Sequence, residues 1–187
     1  MRPRDLNRYL KDVGWGACPV PPRNLPTVEA DVETGPESGG NSLAELARTA
    51  DDCAQCRLSE GRKTVVFGEG DSRAQLMFIG EGPGAEEDRS GRPFVGQAGQ
   101  LLDAMIFAIG LERSDVYITN IVKCRPPGNR DPKDDEVGAC APYLDRQIEL
   151  IQPRVLVALG KPASHRLTGT TKPISALRGR WSTYCGI

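Results

Sequence analysis

Six cysteines stand among the 187 residues, and four of them have the spacing and the company of a metal site. Cys53 and Cys56 form a C-x-x-C pair within CAQCRLSEGR, Cys124 sits in TNIVKCRPPGNRDP, and Cys140 opens CAPYL. Two ligands from one tight turn and two from distant segments are how a chain wraps a soft metal centre. The alternatives for four thiolates are zinc and iron–sulfur. Zinc ribbons carry two C-x-x-C knuckles, whereas fifteen residues separate Cys124 from Cys140 here. That spread favours a [4Fe–4S] cluster. Cys18 and Cys185 fall outside the pattern and read as incidental.

Three other segments could do chemistry. Gly80–Asp88, GEGPGAEED, packs three glycines and a proline into a turn whose backbone amides can approach a ligand closely. It lacks the spacing of a phosphate-binding loop, and Glu81, Glu86, Glu87 and Asp88 make it a poor phosphate cradle. Glu86 and Asp88 suit the acidic first turn of a helix. In Gly91–Gly99, GRPFVGQAG, Phe94 lies outside helical periodicity, where a ring either plugs a core or stacks on a flat ligand. Asn120 ends an apolar run, and its carboxamide could read the edge of a nucleobase with two hydrogen bonds. The single histidine, His165 in KPASHRL, reads as a helix or surface residue.

These residues need elements to hold them. Apolar runs at 75–80, 116–121 and 154–160 predict three buried strands. Between and after them, helical spacing predicts helices over 96–111, over 133–151 with an interruption or bend near Pro142, and from 161 to 168. Strand–helix alternation implies an α/β fold with a short parallel sheet covered on both faces. Ligands in such sheets bind at the carboxyl ends of strands, which singles out 80–88, 120–130 and 160–166. Upstream, Ser42 with Glu45 three residues later predicts a capped helix over 43–52 that delivers the chain into Cys53. A short helix is expected around Asp5–Val13. Residues 18–41 are rich in Pro, Gly and acid without apolar spacing, and disorder is expected there. Residues 1–41 are therefore read as an N-terminal extension and 42–187 as the folded domain.

Composition bounds the function. A hydrophobic fraction of 39% can form a core, and a net charge of −1 does not advertise a polyanion partner. From Arg154 onward there are six Lys or Arg and no Asp or Glu, compatible with a phosphate-facing surface. The first residues have no apolar stretch of the signal-peptide kind, and no apolar run approaches the ~18 residues of a membrane span. A cytoplasmic protein without membrane partners is expected.

GEGPGAEED, RPFVGQAGQLL, YITNIVKCRPPGNR and the four cysteines together resemble the family 4 uracil-DNA glycosylases, which carry an iron–sulfur cluster. The likeness runs from about Cys53 to Ile187. It implies a three-layer α/β/α fold that flips uracil out of DNA and hydrolyses its N-glycosidic bond. It implies cluster ligation by Cys53, Cys56, Cys124 and Cys140, stacking of Phe94 on the extruded uracil, and hydrogen bonding by Asn120. Glu81 and Gly82 would line the pocket, and Glu87 would lie near C5 and exclude thymine's methyl group. Gly82 stands where other branches place a water-activating Asp, so a dissociative mechanism is expected. The family's His-Pro motif follows an R-G-x-W hairpin, and after Arg178-Gly-Arg-Trp181 only six residues remain. A fold lacking its last strand and helix, with impaired cleavage, is therefore expected. A monomer acting on uracil-containing DNA is expected, and an iron–sulfur or zinc DNA-binding module without glycosylase activity is the alternative.

Overall fold

The computed structural model describes residues 42–187. The helix expected around Asp5–Val13, the linker expected over 18–41 and Cys18 lie outside them. The chain enters through α1 (Leu43–Asp51), whose first turn is capped as expected, the Glu45 amide donating to Ser42 Oγ at 3.2 Å. A short turn of helix, α2 (Leu58–Gly61), follows the C-x-x-C pair.

A four-stranded sheet is the centre of the fold, in the order β1 (Glu69–Gly70), β3 (Tyr117–Asn120), β2 (Leu76–Gly80), β4 (Val155–Ala158). The three expected strands pair in parallel, β2 lying between β3 and β4. The antiparallel β1 is an addition, since two residues of Glu-Gly carry no apolar alternation. The remaining helices are α3 (Ala85–Ser90), α4 (Gln97–Ala108), α5 (Asp134–Ile151), α6 (Lys161–Thr168) and α7 (Ile174–Leu177). Pro142 does not interrupt the helix, and α5 runs through it for 18 residues. His165 lies within α6, its Nε2 2.8 Å from the Lys172 carbonyl oxygen.

Alternation along the strands divides the core. Phe78 and Ile118 pack with Leu102 and Ile106 of α4. Met77, Ile79 and Tyr117 pack with Leu144, Ile148 and Ile151 of α5, with Ala50 of α1 and with Leu167 of α6. Helices thus cover both faces, which is the expected α/β/α layering. Among the described residues no helix is long and apolar enough to cross a membrane.

Candidate active site

Strand register brings the first two site segments together. Gly80, the last residue of β2, pairs with Asn120, the last residue of β3. Asn120 is two residues past Ile118 and so projects on the α4 side of the sheet. A Cβ built on Gly80 would lie 2.4 Å from Phe94 Cζ and 2.5 Å from Asn120 Oδ1. The ring and the carboxamide therefore meet over a position that only glycine leaves open. Asn120 is 1% exposed, and its Oδ1 is buried with no hydrogen-bond partner. A buried acceptor left unpaired costs about 1–3 kcal/mol, and a ligand donor placed beside it would recover that cost.

Phe94 reaches this position through unusual backbone. Its φ is +51°, in the left-handed region that non-glycine residues seldom occupy. A Cβ on Gly99, in the first turn of α4, would fall 1.8 Å from the Phe94 carbonyl oxygen, so the helix can start there only with glycine at 99. The Glu87 carboxylate holds the loop from the other side. Oε1 accepts the amides of Val95 (2.9 Å) and Gly96 (2.8 Å), and Oε2 accepts that of Gly84 (3.0 Å). Burial alone would raise the Glu87 pKa, but these backbone donors outweigh it and hold the carboxyl below its ordinary value. One carboxylate thus ties the Gly80–Gly84 turn to the Phe94 loop. The expected acidic first turn is present in α3, with Glu86, Glu87 and Asp88 in it.

Glu81 is half-buried, and burial, with a smaller contribution from Asp131, raises its pKa. Gly82 is closely packed, a Cβ there falling 2.8 Å from Val122 Cγ2.

The four cysteines meet behind the sheet. Cys53, Cys56, Cys124 and Cys140 line one cavity together with Arg62, Lys123 and Tyr143. Two donors already point at sulfur. Arg62 Nη1 donates to Cys124 Sγ at 3.4 Å, and the Lys123 amide donates to Cys140 Sγ at 3.3 Å. Burial pushes the Cys140 thiol up to about 11 and raises Cys124 as well. Among the described residues, no group of three or more His, Cys, Asp or Glu is disposed to hold a metal ion. The cysteines share the walls of a cavity without closing on one point. Cys185, as expected, stands apart and exposed.

Two residues that the sequence reading passed over join these sites. Lys123 is 2% exposed, and its Nζ donates to Thr119 Oγ1 (2.6 Å), Gln147 Oε1 (2.6 Å) and the Asn120 carbonyl oxygen (2.9 Å). Burial pushes its pKa down to about 7. A lysine set between the apolar pair Ile121-Val122 and Cys124 was the available signal. Arg113 contacts Pro93, Phe94, Glu69 and Asp103, and nothing local in LERSDV marks it.

Residues 67–184 match the family model described as the uracil DNA glycosylase superfamily. The chain is 54% identical over 122 residues to the type-4 uracil-DNA glycosylase of Sulfurisphaera tokodaii, covering 65% of this chain and 56% of that one. It is 47% identical over 149 residues to that of Saccharolobus solfataricus (77% of this chain, 69% of that one) and 50% identical over 128 residues to that of Thermotoga maritima (68% and 67%). The chain belongs to the uracil DNA glycosylase superfamily and, within it, to the type-4 uracil-DNA glycosylases. It spans about 56% of the length of the first of these curated relatives and 69% of the second.

Proposed function

We propose that this chain recognises uracil in DNA and hydrolyses its N-glycosidic bond, with residues 42–187 as the glycosylase domain. The observation that carries this reading is the unpartnered, buried Asn120 Oδ1 beside the Phe94 ring. An enzyme acting on a base must take it out of the helix and read its edge in a closed pocket. Uracil offers N3–H as donor and O4 as acceptor. Asn120 Oδ1 would accept the first and Nδ2 would donate to the second, while Phe94 stacks on the ring. Glu87, pinned by three amides, would form a wall toward C5 that cannot swing aside for a methyl group. Glu81 and Gly82 would line the same pocket.

In the reaction the C1′–N1 bond breaks and its electron pair leaves on uracil. Water adds its oxygen to C1′, and its proton passes to solvent. Gly82 carries no side chain to activate that water, so the sugar is expected to develop cationic character first. The Asn120 amide then matters more as negative charge grows on O4, which is stabilisation concentrated in the transition state.

Cys53, Cys56, Cys124 and Cys140 would hold a [4Fe–4S] cluster. Their chemistry fits: four soft donors, a shared cavity and N–H groups aimed at two of the sulfurs. When bound, the cluster fastens the α1–α2 turn, the loop after β3 and α5 to one another. Protein purified without oxygen is expected to be brown and to contain iron and sulfide. A colourless sample with stoichiometric zinc would rule out the cluster.

The proposed setting is a cytoplasmic monomer acting on uracil-containing DNA. The test is uracil release from an oligonucleotide bearing one deoxyuridine, measured beside Asn120→Ala. The alternative that this assay separates is an iron–sulfur or zinc DNA-binding module without cleavage. Tight, uracil-selective binding with no release supports that module. No preference for uracil-containing over undamaged DNA overturns both.

A further inference from the structure

We infer that Arg113 is a positioning residue that sets the pose of the Phe94 ring, and through it the selectivity for an extruded base; this rests on the pocket proposed above. Phe94 occupies a left-handed conformation that is strained for a non-glycine residue and persists only where its surroundings enforce it. Glu87 grips the amides that follow it. Arg113 grips the carbonyls that precede and include it, Nη2 donating to Pro93 O and Nη1 to Phe94 O at 3.2 Å. An anion on the amides and a cation on the carbonyls clamp the one residue between them.

The guanidinium is itself immobilised. Its Nε donates to Glu69 Oε1 at 2.5 Å, and Nη1 also donates to Asp103 Oδ1 at 2.7 Å. Glu69 belongs to β1, where it pairs with Ile118, two residues from Asn120. Asp103 belongs to α4, the helix that abuts the Phe94 carbonyl. Arg113 therefore references the stacking ring to the strand carrying the base reader and to the helix behind the loop. Its four engaged N–H groups point in fork directions that an ammonium cannot reproduce. Lysine would keep the charge for Glu69 and lose the grip on the two carbonyls.

A double-mutant cycle tests this, with binding as the readout. The probes are matched duplexes carrying either 2′-fluoro-2′-deoxyuridine, which resists hydrolysis, or thymidine at one position. Arg113→Lys is expected to reduce the preference for the uracil duplex about tenfold, within the range that one base stack supplies. In a Phe94→Ala background the same change is expected to do almost nothing, because the group it acts through is gone. An Arg113→Lys loss of equal size in both backgrounds, or no loss in either, overturns the inference. Where Arg113→Lys does not fold, Asp103→Asn serves, since it loosens one anchor of the guanidinium from an exposed site; a smaller loss confined to the Phe94 background is expected. Wild-type protein without any preference for the uracil duplex would overturn the pocket itself, which is distinguishable from a clamp that does not matter.

Discussion

The two faces of β3 treat their polar groups oppositely. On the α5 side, Lys123 Nζ has three oxygen partners, two of which it takes from Thr119 and Gln147. The Gln147 amide donates in turn to the Phe67 carbonyl at 2.9 Å and to the Tyr117 hydroxyl at 3.2 Å. On the α4 side, one residue along from Thr119, Asn120 Oδ1 has none. Folding explains the first arrangement: buried polar groups are paired because leaving them unpaired is expensive. It does not explain the second. An acceptor orphaned on one face of a strand whose other face is fully paired fits the base-reading role proposed for Asn120.

The sharpest way to break this contrast is at the open face. Asn120→Ala is expected to lower uracil excision by on the order of 10²–10³, the usual effect of removing one transition-state hydrogen bond. It is not expected to lower the unfolding free energy, because it deletes a group whose unpaired burial is itself costly. A large loss of stability in a urea titration would show that the carboxamide serves the fold. Gly80→Ala attacks the same place without touching a hydrogen-bonding group. Its methyl would need space now held by Phe94 and Asn120, so excision should fall comparably while affinity for undamaged DNA persists.

The closed face should behave in reverse. Lys123→Met removes a donor shared by three buried acceptors, and about 1–3 kcal/mol is expected for a buried group left unsatisfied. The outcome to measure is the urea midpoint, with uracil selectivity in the surviving folded fraction. Lost selectivity at unchanged stability would mean that the network serves the pocket directly and that the two faces are not separable.

Much of this arrangement is legible before any coordinates. The three parallel strands, the helices covering them and the capped entry helix follow from apolar period and from Ser42 and Glu45. Phe94, Asn120 and the cysteines stand out because each is out of keeping with its local pattern. The clamp and the buried network do not show. Arg113 finds its partners at 69, 93, 94 and 103, and Lys123 finds Gln147 on another helix. Such pairings depend on which strand lies beside which, and a short β1 with no periodicity decides one of them. Gly99 carried a partial signal, since glycine inside a predicted helix costs about 1 kcal/mol and hints at a close approach.

The smallest expected effect concerns acid and the base of α5, the helix that brings Cys140 and Gln147 to the closed face. Glu136 lies in its first turn with no exposed surface. Arg130 donates to both of its carboxylate oxygens, at 2.8 and 2.6 Å, and the Lys133 amide donates at 2.8 Å. The Arg130 guanidinium, outweighing burial, holds the carboxyl down to about 2. An unfolded glutamate titrates near ~4.3. Because the folded pKa is the lower one, the charged carboxylate stabilises the fold fully above about pH 4.3, and this contribution disappears as pH falls through the folded pKa. The Arg130 side chain is one-third exposed, so solvent screening keeps the contribution modest. Urea titrations of wild type and Glu136→Gln across acid pH should therefore converge toward pH 2 and separate on the way to neutrality. A constant difference between them at every pH would show that the pair contributes packing alone. At neutral pH, Glu136→Gln should leave uracil selectivity intact. A selectivity loss as large as that of Asn120→Ala would mean that α5 controls the open face too, and the contrast across β3 would have to be abandoned.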